Sequence, residues 1–123
     1  MASSTGKRVL VVEDNPILAC DMEDLICDAG WEAVGPAMDL ETGLDLARNN
    51  RLDAALLDID LGGERVWPLA SELLANTVPI VFVTADCRPD EMPSEYAHFH
   101  CLEKPAARAT ILQRVTDVLA EAG

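Results

Sequence analysis

Lys7-Arg8-Val9-Leu10-Val11-Val12-Glu13-Asp14-Asn15-Pro16 is the stretch that decides the fold. Four apolar residues in succession, with no polar residue between them, fit a strand covered on both faces, as in a parallel sheet. The run stops at two acids. Asn15 then reads as a helix N-cap, and Pro16 suits the first helical position, where no backbone N–H is needed. Leu18, Met22, Leu25 and Ala29 follow at helical spacing, and Gly30 marks the stop. The opening segment is a strand followed by a helix.

The same unit recurs along the chain. Glu32 to Ala37 reads as a second, weaker strand, and Asp39 can cap a helix carrying Leu40, Leu44 and Ala47. Ala54-Ala55-Leu56-Leu57 is a third strand, ending at Asp58-Ile59-Asp60. Gly62-Gly63 breaks the chain before a helix carrying Val66, Leu69, Ala70, Leu73 and Leu74. Val78 to Val83 is a fourth strand, ending at Thr84. Between Arg88 and Tyr96 a helix is expected, but Pro93 would break its interior at about 3 kcal/mol, so a single turn or irregular loop is predicted. His98 to Leu102 is a fifth strand, closed by Lys104-Pro105. A last helix runs from about Ala107 to Glu121, with Ile111, Leu112, Val115, Val118 and Leu119 inward. Five strand–helix units imply an α/β fold, a five-stranded parallel sheet with helices on both faces.

Composition narrows the function. The 123 residues include 22 acidic and 9 basic side chains, a formal net charge of −13, and half are hydrophobic. That length and apolar content suit one domain with a full core. The charge repels phosphate polymers and anionic lipid, so neither direct nucleic-acid binding nor membrane insertion is expected. No apolar run approaches the roughly 18 residues of a membrane helix, and the polar N-terminus is no secretory signal. Cys20, Cys27, Cys87 and Cys101 form no Cys-x-x-Cys pair. They read as reduced thiols of a cytoplasmic protein, with Cys20 and Cys27 on one helical face; a regulatory disulfide is the minor alternative, because buried thiols are usually small apolar fillers. His98 and His100 are alternate strand residues with no third ligand nearby, and read as core or surface histidines. Trp31 and Trp67 read as packing residues.

In folds of this kind ligands bind at the carboxyl ends of the strands. There the sequence places Glu13 and Asp14, Asp58, Thr84 and Lys104. Clustered carboxylates repel one another unless a cation is present. A hard divalent ion such as Mg2+ takes such oxygen ligands. Lys104 adds a positive charge, and Thr84 can donate to a phosphoryl oxygen. An aspartate so flanked can act as a nucleophile toward phosphorus.

In that order and at those strand ends, Val11-Val12-Glu13-Asp14-Asn15, Leu56-Leu57-Asp58, Val83-Thr84-Ala85 and Lys104-Pro105 resemble the receiver domain of bacterial two-component response regulators. The resemblance spans Val9 to about Leu119. It implies the flavodoxin-like strand order 2-1-3-4-5, with residues 1–6 as a flexible tail and 7–123 as a receiver with no output domain. It implies that Asp58 accepts the phosphoryl group, and that Glu13, Asp14, Asp58 and the backbone carbonyl of Asp60 hold Mg2+. Thr84 would bind the phosphoryl group and move with it, and Lys104 would pair with a phosphoryl oxygen. A cis peptide commonly precedes the matching proline, here Pro105. The donor would be a sensor histidine kinase or a histidine phosphotransfer protein, with a downstream protein partner and a monomeric unphosphorylated state. The family usually carries Phe or Tyr where this chain has Cys101, and a full helix where it has Pro89 and Pro93. The run from Asp58 to Glu64, without the usual proline, resembles small stand-alone receivers.

Asp60 can cap the glycine turn or sit near an attacking water. Asp86 reads mainly as a solvated loop residue. Two other functions fit parts of the pattern. A pseudo-receiver would use the fold for binding alone, but usually lacks one of the acids or the lysine. Asp58-Ile59-Asp60 also looks like the nucleophile motif of haloacid-dehalogenase-type phosphatases. Those need an acidic metal pair after the lysine, where this chain offers only Asp117 and Glu121.

Overall fold

The computed structural model describes residues 6–96 and 99–122. Five strands form one parallel sheet: β1 (Arg8–Val12), β2 (Glu32–Ala37), β3 (Ala54–Leu57), β6 (Ile80–Thr84) and β7 (His100–Glu103), in the order β2-β1-β3-β6-β7. Strands β4 (Asp60–Leu61) and β5 (Glu64–Arg65) form a separate antiparallel hairpin. Counting only the strands of the main sheet, the order is the 2-1-3-4-5 implied by the family resemblance.

The helices are α1 (Pro16–Asp28), α2 (Leu40–Asn49), α3 (Trp67–Ala75) and α4 (Arg108–Ala122). Alternation along the buried strands sorts them onto two faces. Leu10, Val12, Ala55, Leu57 and Phe82 point to the side covered by α2 and α3. Val9, Val11, Ala54, Leu56, Val81 and Val83 point to the side covered by α1 and α4. Both faces are therefore apolar, which is why the sequence shows continuous rather than alternating hydrophobic runs. Gly43 lets α2 lie close to the sheet: a Cβ there would come within 3.0 Å of Leu69 and 3.4 Å of Val12.

The caps are those expected. Asn15 Oδ1 accepts hydrogen bonds from the N–H groups of Ile17 (2.9 Å) and Leu18 (3.2 Å). Asp39 Oδ1 accepts from Thr42 N at 2.8 Å, and this bond holds its carboxyl below the usual carboxylate range.

Several expectations need correction. The Gly62-Gly63 break is the turn of the β4–β5 hairpin, with φ of 61° and 97°. Two successive positive φ values are what a tight two-residue hairpin turn requires. Val66 precedes α3 but is fully buried, whereas Leu74 on α3 and Leu112 on α4 are exposed rather than inward. Cys20 and Cys27 are exposed thiols, not buried fillers. The segment before β7 is without a helix, as the prolines imply, but holds two 3-10 turns rather than one, Pro89–Glu91 and Ser94–Tyr96. Strand β7 begins at His100, and His98 lies outside the described residues, as do positions 1–5 of the expected tail.

The largest correction concerns the thiols. Cys87 and Cys101 form a disulfide, with Cα atoms 6.1 Å apart. The parallel register sets Cys101 beside Phe82. The chain leaving Thr84 stays close to β7, where Cys87 N donates to Glu103 Oε2 at 3.1 Å. Their separation of 14 residues hides a proximity created by two neighbouring strands.

Beside this segment lies an aromatic cluster. Trp67 stacks on Tyr96 at 5.3 Å, and Phe82 meets Trp67 and Tyr96 edge-on at 5.8 and 6.1 Å. Phe99 meets Tyr96 edge-on at 5.5 Å. Tyr96 is 1% exposed. Packing around this ring holds the two short turns against the sheet where no helical ladder can.

Candidate functional site

Glu13, Asp58 and Lys104 each sit one step beyond a strand, and Thr84 at the last position of one, yet the backbone there continues the sheet. Glu13 N donates to Ala37 O at 2.9 Å, Asp58 N to Val12 O at 2.9 Å, and Lys104 N to Thr84 O at 2.8 Å. These bonds extend the parallel ladder past the strand ends. The side chains are thereby placed by the sheet rather than by mobile loops.

They converge as the sequence predicts. Lys104 Nζ lies 2.8 Å from Asp58 Oδ2 and 2.8 Å from Glu13 Oε1. The bond to Asp58 is well aligned. Glu13 Oε1 is buried, and the Lys104 ammonium 2.8 Å away is its partner. Glu13 Oε2 accepts from Asn15 N at 3.0 Å, and Asp58 Oδ1 accepts from Asp60 N at 3.2 Å. Asp14 Oδ2 accepts from Gly62 N at 3.0 Å and so ties the hairpin to the end of β1. Thr84 closes β6 and is 1% exposed.

The electrostatics follow from this packing. Burial pushes the Glu13 carboxyl above its ordinary value and the Asp58 charge adds to it, against the pull of Lys104 and the Asn15 N–H. For Lys104, burial works against the ammonium. The hydrogen bonds and charges of Asp58 and Glu13 outweigh it and raise its pKa.

Glu13, Asp14 and Asp58 each offer a carboxylate oxygen, and these atoms lie within 4.8 Å of one another. An all-oxygen, acidic donor set suits a hard divalent cation, which would compete with Lys104 for the buried Glu13 Oε1.

Other acids lie outside this cluster. The Asp60 side chain pairs with Arg65 at 3.0 Å, leaving only its backbone beside Asp58. Asp86 pairs with Arg88, which also reaches Glu91 at 3.1 Å. Asp117 accepts from Gln113 within α4, and the acid cluster found among the described residues is Glu13, Asp14 and Asp58, without Asp117 or Glu121. The pairing of Cys87 with Cys101 is not foreseen by the sequence, where a disulfide is only the minor alternative. Its one sequence signal is symmetry: Cys87 lies three residues after Thr84, and Cys101 three before Lys104.

A doubly wound α/β domain with an acid cluster and a lysine at the carboxyl edge of its sheet is the class these features define. The family model for the response regulator receiver domain matches residues 9–116. The chain belongs to that family, whose members serve two-component signalling.

The transcriptional regulatory protein PdtaR of Mycobacterium tuberculosis is 29% identical over 89 residues, covering 72% of this chain and 43% of PdtaR. This chain thus spans under half of that relative's length. The polar-differentiation response regulator DivK of Brucella anthropi is 37% identical over 83 residues, covering 64% of this chain and 67% of DivK. The receiver domain of the sensor histidine kinase PA1611 from Pseudomonas aeruginosa superposes with a TM-score of 0.79 at 25% identity. That match covers 94% of this chain and 99% of the other, and the PA1611 structure has a magnesium ion coordinated in its active-site cleft. No helix among the described residues is long and apolar enough to cross a membrane.

Proposed function

We propose that this domain accepts a phosphoryl group on Asp58 in a Mg2+-dependent reaction, taking it from the phosphohistidine of a sensor histidine kinase or a histidine phosphotransfer protein. It then signals by binding a protein partner or by passing the group on. The observation that carries this reading is the placement of Asp58, whose Oδ2 lies 2.8 Å from Lys104 Nζ while Glu13 and Asp14 crowd it from β1. The reading also places the domain in the cytoplasm, monomeric before phosphorylation.

Mg2+ would be held by Glu13, Asp14, Asp58 and the backbone carbonyl of Asp60. It supplies charge neutralisation between these carboxylates and an incoming phosphoryl group. The protein's own groups do the rest. One Asp58 carboxylate oxygen attacks phosphorus in line, forming the O–P bond. The P–N bond to the donor imidazole breaks, and the imidazole leaves with the bonding electron pair. Lys104 transfers its pairing from Asp58 Oδ2 to a phosphoryl oxygen, and the Thr84 hydroxyl donates to another. Positioning and electrostatics carry such transfers, with little covalent chemistry for the protein beyond the nucleophile.

Intact-mass analysis after incubation with Mg2+ and acetyl phosphate tests this. Wild type should gain one phosphate that depends on Mg2+ and is lost to hydroxylamine, and Asp58→Asn should gain none while staying folded. If acetyl phosphate and a phosphorylated histidine donor both fail to label wild type, the acids and lysine serve a binding module without phosphoryl chemistry.

A further inference from the structure

Cys87 lies three residues after Thr84, just past the end of β6, and Cys101 lies three residues before Lys104, within β7 beside Phe82. The geometry points to the Cys87–Cys101 pair as a thiol–disulfide switch on the phosphoryl site, an inference that rests on the acceptor role of Asp58.

The placement supplies the coupling. Only Ala85 and Asp86 separate Thr84 from the bonded Cys87, and only Leu102 and Glu103 separate Cys101 from Lys104. The Thr84 hydroxyl at the end of β6 is the group that would donate to a phosphoryl oxygen on Asp58, so the freedom of the residues after it bears on that bond. With the disulfide formed, that segment is bonded to β7 and further held by the Cys87 N–H on Glu103 Oε2. With the thiols free, the covalent tether is gone and the segment can follow the ligand. The bond also closes a ring containing both 3-10 turns, so its loss releases the whole stretch that stands in for a helix.

The chemistry of the surroundings makes the bond conditional. A domain fed by phosphohistidine donors in the cytoplasm works where thiols are kept reduced, and a disulfide there signals an oxidant. Both cysteines are half-buried, not sealed in the core, so exchange partners can reach them. Oxidation by a low-molecular-weight disulfide proceeds through a mixed disulfide. The Cys87 and Cys101 thiols give up two electrons and two protons and form the Sγ–Sγ bond. The reagent's S–S bond breaks, accepts those electrons and protons, and leaves as two thiols.

The test uses the full chain with Cys20→Ser and Cys27→Ser, which removes the two exposed thiols. The protein is equilibrated in mixtures of reduced and oxidised glutathione, alkylated and weighed. Phosphate incorporation from acetyl phosphate with Mg2+ is then timed in each redox form. The expected result is a reversible two-thiol transition, with incorporation at least threefold slower in the oxidised form. Cys87→Ser and Cys101→Ser, each added singly, should show the reduced-form rate in every buffer. Equal rates in the two forms overturn the switch, as does a bond that glutathione cannot reduce in the folded protein. If neither form takes phosphate, the acceptor reading has failed. The coupling is then read as Mg2+ affinity, which must differ at least threefold between the forms for the switch to stand.

Discussion

The acid-bearing side of the sheet edge and the stretch from Ala85 to Glu103 are built by different means. Glu13 and Asp58 follow buried apolar runs and take their positions from backbone ladder bonds that run past the strand ends, and Asp14 is tied to the Gly62 N–H. Among the described residues, the later stretch has little regular hydrogen bonding before His100. It is held by rings around Tyr96, by the Arg88 pairs with Asp86 and Glu91, and by one disulfide. The contrast teaches that the reactive half of the site is fixed by local patterning, while the half that would respond to it is held by long-range side-chain contacts. The two meet at Lys104, which follows the second stretch and pairs with Glu13 and Asp58 of the first.

The sharpest challenge to that division is Tyr96→Ala. Removing a fully buried ring that touches three other aromatics should cost about 3 kcal/mol in urea unfolding, in line with large-to-small core changes. A loss below about 1 kcal/mol would mean that the rings do not hold the stretch. Lys104→Ala tests the opposite side. It should slow phosphate incorporation at least tenfold, about 1.4 kcal/mol in barrier, while leaving Mg2+ binding in place because no metal ligand is removed. Unchanged incorporation would take Lys104 out of the site. Gly63→Ala probes the hairpin tied to Asp14. Nothing lies near the new Cβ, so the cost comes from φ of 97° alone and should be about 1 kcal/mol. Leu74→Gln, on an exposed position of α3, should shift stability by no more than about 0.5 kcal/mol. A larger loss would show that Leu74 has packing partners in solution.

What could be read from the sequence follows the same line. Val9 to Val12 and Ala54 to Leu57 announce doubly covered strands because apolar side chains must fill both faces, and the acids after them announce the edge. Asn15 and Asp39 declare their helices through bonds spanning two or three residues. Pro93 shows that a helix cannot form before β7, but not that Tyr96 would be its replacement's anchor. The glycines at 62 and 63 mark a break equally well whether a loop or a hairpin follows. Leu74 and Leu112 fall at helical spacing near the margin of the apolar stripe, where a small rotation decides exposure. Cys87 and Cys101 are the clearest miss. Their proximity depends on strand register and on the path of the chain after Thr84, neither of which is written in local spacing.

The stacking of Trp67 on Tyr96 has an optical consequence. The other tryptophan, Trp31, packs against the opposite face of the sheet. A Trp31→Phe protein would therefore emit only from an indole lying against the two short turns. Its quantum yield and emission maximum would register any slippage of that ring pair in real time, without an attached dye.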